Sequence, residues 1–99
     1  GCTSLEHVVI PDGISVIGQN AFDGCTSLKT FRFPSQLRAI YDCAFMHSGL
    51  ESFCPTIAEG VKCKIFEKSF AFCYNLKTVT LTPGVQLAGE MSFLSCTNL

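Results

Sequence analysis

A leucine followed by apolar residues three and five positions later recurs along the chain. The copies are Leu5, Val8, Ile10; Leu28, Phe31, Phe33; and Leu76, Val79, Leu81. A weaker copy has Leu50 and Phe53 with Pro55 in the last slot, and Leu99 opens a fifth. The leucines are spaced by 23, 22, 26 and 23 residues. Alternation of apolar and polar positions over each stretch predicts a short strand with one buried face. Pro11, Pro34, Pro55 and Pro83 fall at or near the ends of these strands, where a residue without an N–H punctuates the ladder.

Two further columns run in phase. Ala21-Phe22, Ala44-Phe45, Ser69-Phe70 and Ser92-Phe93 form a small–Phe pair in each unit, with Ile17, Ile40, Ile65 or Ala88 five residues before the Phe. Three residues before each leucine stand Cys2, Cys25, His47, Cys73 and Cys96. Val16-Ile17 and Ala39-Ile40 predict a second short extended stretch. The Ala-Phe-x-x-Cys part predicts a short helical turn, with Asp12-Gly13 and Pro83-Gly84 as turn signals between.

Phased columns of this kind mean an internal repeat, read before any other feature. The chain is one mainly β repeat solenoid over 1–99, with units at about 5–27, 28–49, 50–75 and 76–98. The third unit is irregular. One residue is missing before Leu50, and about three extra fall within 58–64. Loops absorb such changes cheaply, because closure entropy grows slowly with length. A single unit cannot bury its own apolar face, so the units must stack. With the pattern running through both ends, the chain reads as one span of a longer array whose flanking repeats are its first partners.

The unit Leu-x-x-φ-x-φ-Pro…Ile-x-x-x-Ala-Phe-x-x-Cys-x-x-Leu, with φ apolar, resembles the BspA-type (Treponema-pallidum-like) leucine-rich repeat. Residues 1–28 match it almost position for position. The resemblance covers essentially the whole chain and is degraded in the third unit. It implies a right-handed coil of short parallel strands joined by loops or short helical turns. It also implies a surface or secreted protein with an adhesive, protein-binding role.

Composition narrows the alternatives. The chain is 47% hydrophobic, with nine Phe and no Trp. Its mean hydropathy is +0.35, yet no apolar run is long enough for a membrane-spanning helix. The net charge is −1, with no basic patch, which argues against nucleic acid as a partner. Seven cysteines cannot all pair internally. Cys2, Cys25, Cys73 and Cys96 share one repeat position and read as small buried hydrophobes. Cys43, Cys54 and Cys63 lie outside that column. Cys54 is expected on an exposed face and Cys63 in the long loop, where both would be reactive. Cys25, His47 and Cys73 are column neighbours, but parallel side chains do not give zinc its tetrahedral set. His7 and Cys54 are two coils apart, ~9–10 Å by strand spacing, beyond the reach of a nucleophile–base pair. The acids share no repeat position. No catalytic residue, metal site or cofactor site is expected.

The candidate binding surface is the outward face of the first strand. It carries the columns His7, Thr30, Ser52, Thr78 and Val9, Arg32, Cys54, Thr80, set ~4.8 Å apart from coil to coil. This mildly polar ribbon suits a protein partner, and solenoids commonly bind through such faces. A plain solvated sheet face is the alternative. The expected role is a protein-binding module of a cell-surface or secreted, adhesin-like protein. The rival is a structural or scaffold component of a larger cytoplasmic assembly, which unpaired thiols would suit.

Overall fold

The computed structural model describes residues 3–8, 10 and 13–99. Gly1, Cys2, Val9, Pro11 and Asp12 lie outside the described residues, and so do the expectations placed on them.

The coils stack as parallel layers. Strands β1 (Val16–Ile17), β2 (Ala39–Ile40), β4 (Cys63–Ile65) and β6 (Val85–Leu87) form a parallel sheet in the order β1-β2-β4-β6. Strands β3 (Ser52–Phe53) and β5 (Thr78–Val79) pair in a second parallel sheet. The third and fourth units thus carry strands on both sides, whereas the alternating stretches of the first two units, expected as strands, form none among the described residues 5–8, 10 and 28–33. The more continuous ladder, however, lies on the second side. On the first side, the second and third coils are linked by the Glu51 N–H donating to Lys29 O at 3.1 Å. The alternation still sorts that side correctly: Phe33 and Phe53 are buried, while Thr30, Arg32, Ser52 and Cys54 are exposed.

Register corrects two column assignments. Ile17 pairs with Ile40, Ile40 with Ile65, and Ile65 with Leu87. The fourth member of the isoleucine column is therefore Leu87 and not Ala88. The extra residue is absorbed by a bulge, in which the N–H groups of Ala88 and Gly89 both donate to Ile65 O, at 2.9 and 3.1 Å. A Cβ at Gly89 would come within 2.2 Å of Glu67 N, so only glycine fits there. At the end of the second unit the cysteine column is held by Ser48 and not His47. The Ser48 N–H donates to Phe45 O as the Cys25, Cys73 and Cys96 N–H groups donate to Phe22, Phe70 and Phe93 O. The residue lost before Leu50 leaves Gly49 in close contact, where a Cβ would come within 2.2 Å of Thr26 O.

The Ala-Phe-x-x-Cys segments are not helical. Asn20, Cys43, Lys68 and Met91 have φ between 56° and 59°, and so repeat a left-handed position in every unit. Gly24, His47, Phe72 and Ser95 repeat another four residues later. A left-handed residue ends a helix, and a non-glycine pays for it in local strain. Successive turns result, and the N–H groups divide between two tasks. Those of Ala21, Asp23 and Cys25 close turns within their own coil, while those of Asn20, Phe22 and Gly24 donate to Asp42, Ala44 and Met46 O of the next. The same division recurs in the next two coils. This third side is therefore a backbone ladder in its own right.

The Phe of each unit points inward from these turns. Phe22, Phe45, Phe70 and Phe93 stack, with centroids 5.2, 5.2 and 5.4 Å apart and planes within 15° of parallel. Coil spacing sets ring spacing, which explains four of the nine Phe. Each fully buried ring contributes roughly 1.5–3 kcal/mol by burial, and each pair about 0.5–1.5 kcal/mol more. Above the Phe sits the small residue. Ala44 is fully buried, and Ser69 satisfies its hydroxyl by donating to Phe66 O at 2.6 Å.

Candidate functional site

The exposed side of the first strand is built by alternation. Leu28, Phe33, Leu50, Phe53 and Leu76 turn into the core, Phe31 and Val79 pack against it, and Thr30, Arg32, Ser52, Cys54, Thr78 and Thr80 turn out. His7, Thr30, Ser52 and Thr78 are all exposed, as are Arg32, Cys54 and Thr80; Val9 lies outside the described residues. Register places Ser52 beside Thr78. Side chains touch across the coils at both ends of the ribbon. Thr30 Oγ1 lies 3.4 Å from His7 Nδ1, and the Cys54 thiol donates to Thr80 Oγ1 at 3.5 Å. The backbone supports the ribbon from below, with the N–H groups of Lys77 and Thr80 donating to Glu51 and Phe53 O at 2.9 Å. The arrangement is a row of hydroxyls with one thiol, one imidazole and one guanidinium. It offers hydrogen bonds and flat contact, with little fixed charge.

The thiols separate by environment. Cys25, Cys63 and Cys73 are fully buried and Cys96 nearly so. Cys73 Sγ donates to Phe45 O at 3.0 Å, and Cys96 Sγ donates to Phe70 O at 3.1 Å, which ties each coil to the one before. Ser48 Oγ lies 3.4 Å from Cys73 Sγ and continues the column in the second unit. Burial pushes the Cys73 thiol up to about 11. Cys63 is a correction to the sequence reading. It begins β4 and points inward with Ile65, and burial pushes its thiol up to about 11 as well. The signal was present, because Cys63 stands two residues before an inward Ile. Cys43 is half-buried, and its thiol is raised by burial and then by Asp23, with Lys68 opposing. Cys54 is the exposed thiol among the described cysteines.

His47 sits on the turn side and not in the core. Its ring stacks on Phe72 at 4.9 Å, and its Nδ1 lies 3.7 Å from Asp23 Oδ1. Sequence reasoning missed this pairing, because it placed His47 in the cysteine column. Among the described residues no three His, Cys, Asp or Glu side chains converge as a metal site would need. No helix among them is long and apolar enough to cross a membrane.

Comparison with known proteins places this geometry. Residues 1–99 match the family model described as BspA type leucine rich repeat region (6 copies). A leucine-rich repeat protein from Bacteroides ovatus ATCC 8483, known from a crystal structure, superposes with a TM-score of 0.85 at 32% identity. The match covers 99% of this chain and 25% of that one. The T. pallidum leucine-rich repeat protein, also a crystal structure, gives a TM-score of 0.86 at 33% identity, covering 100% of this chain and 45% of that one. The chain thus spans less than half the length of either. A search among curated proteins finds no match. The chain belongs to the BspA-type leucine-rich repeat family.

Proposed function

We propose that this chain is a protein-binding module and that its partner lies on the ribbon of Thr30, Arg32, Ser52, Cys54, Thr78 and Thr80, with His7 and Val9 at its first coil. The observation that carries the reading is the outward alignment of these side chains in register across stacked coils. Repeat modules of this family are interaction scaffolds, and their stacked strands present one continuous surface. The full protein is an adhesin-like surface or secreted protein in this reading.

Cys54 makes the reading testable with native chemistry. A photoreactive maleimide placed on Cys54 should cross-link a partner in the protein's native extract, and unlabelled competitor chain should suppress the adduct. The same photoreactive maleimide placed instead on a Lys64→Cys, Cys54→Ser variant, on β4 of the other sheet, should give no such adduct. Equal cross-linking from both positions would contradict the reading.

One observation favours a second reading. Cys73 and Cys96 donate as thiols to carbonyl oxygens, and thiols held in this way suit a reducing compartment. There the chain would be a scaffold element of a larger cytoplasmic assembly.

A further inference from the structure

The irregular third unit builds a cavity. Its three-residue insertion stacks beside the shorter loop of the fourth unit and leaves an open, cleft-like cavity of about 480 Å³ between Pro55, Ile57, Ala58 and Val61 on one side and Thr82 and Pro83 on the other. Preformed ligand pockets fall in this range, about 300–1,000 Å³. The loop is tied down on both sides, since Ala58 N–H donates to Ser35 O at 2.9 Å and Cys63 N–H to Gly84 O at 2.7 Å. Thr82 Oγ1 donates to Pro55 O at 3.5 Å across the gap. At Gly84, φ is +97° and a Cβ would come within 2.7 Å of Val61 O, so the floor closes only around glycine.

The walls define the occupant. Pro55 and Pro83 bring no N–H donor, and Ile57, Ala58 and Val61 are half-buried apolar residues with a face left over. Glu59 and Lys62, the charged residues of the loop, carry opposite signs. Neither an anion nor a cation is favoured. The cavity also continues the ribbon, because Cys54 precedes Pro55 in one wall, and Thr80 stands two residues before Thr82 in the other.

We propose that this cavity receives an aliphatic side chain of an extended peptide segment whose backbone lies along the Cys54–Thr80 end of the ribbon. The inference rests on reading the ribbon as a protein-binding surface, and gives that surface its anchor. Interfaces concentrate their energy in such apolar anchors, with the polar contacts around them supplying fit. The one insertion that breaks the repeat is then the element that makes this span selective.

The test uses a displayed random-peptide library against the immobilised full chain, with binding of selected peptides re-measured on three variants. Ala58→Leu fills the cavity, Ala58→Asp charges it, and Thr80→Glu charges the ribbon beside it. Urea midpoints and far-ultraviolet circular dichroism verify that each variant is folded. Selected peptides should share an aliphatic residue whose replacement by alanine weakens binding about 30-fold. Both Ala58 variants and Thr80→Glu should lose binding. Peptides that keep full affinity for both Ala58 variants but lose it on Thr80→Glu overturn the cavity and leave the ribbon standing. Loss on the Ala58 variants with full affinity on Thr80→Glu overturns the ribbon reading instead. A library that yields no binder, or binders with no aliphatic preference, overturns the inference.

Discussion

Phe45 and Phe70 stack with ring centroids 5.2 Å apart and planes 2° from parallel. Both are fully buried, and Phe33 and Phe53 pack against them from the ribbon side. The ring column therefore joins the turn side to the strand that carries the proposed binding surface. Phe45→Ala should cost about 3–5 kcal/mol, read as a shift of the urea midpoint. Phe22→Ala, at a half-buried ring nearer the first coil, should cost clearly less. Equal losses at the two positions would show that the column does not act as a core.

Gly49 measures how tightly the shortened second unit is held. A Cβ there meets Thr26 O at 2.2 Å, while a Cβ at Gly18 meets nothing within 4 Å. Gly49→Ala should therefore destabilise by about 1–3 kcal/mol, as overpacking does. Gly18→Ala should stay within about 0.5 kcal/mol of the parent. Thermal melts of the two variants side by side check this.

The buried thiols give an alkaline limit. Cys63 and Cys73 have pKa values of about 11 in the folded chain, against 9.0 for an unperturbed thiol. The folded pKa is raised, so the stabilisation is complete below about pH 9 and is lost as pH rises through 11. Each thiol contributes roughly 2–3 kcal/mol to that loss, since one pKa unit is worth about 1.4 kcal/mol. Urea midpoints should fall between about pH 9 and 11, and fall less steeply in Cys63→Ala and Cys73→Ala variants. An unchanged slope in both would mean that these thiols are not the cause.

Much of the fold was legible because a repeat states each packing position several times. Phe22, Phe45, Phe70 and Phe93 share a column by spacing alone, and they stack in the structure. Spacing failed where the chain gains or loses a residue. Leu87 takes the place expected for Ala88 because a bulge at Gly89 absorbs the surplus, and Ser48 takes the place expected for His47 because Gly49 closes the gap. The turns read as helical because the φ values of Cys43, Lys68 and Met91 are set by coil-to-coil hydrogen bonds, which local residue preference does not reveal. The outward columns were legible from alternation. The cavity was not, since two loops of unequal length form it only when stacked.

The central claim is that the Thr30/Arg32/Thr80 side of the coil binds a protein. Paired affinity capture from native extract tests it most directly. One bait is the chain with its flanking repeats, and the other carries Thr30→Glu, Arg32→Glu and Thr80→Glu, with both verified as folded. The account predicts a protein captured by the first bait and lost with the second. Identical capture by both baits, or none by either, would contradict it and leave the span as a spacer between other repeats.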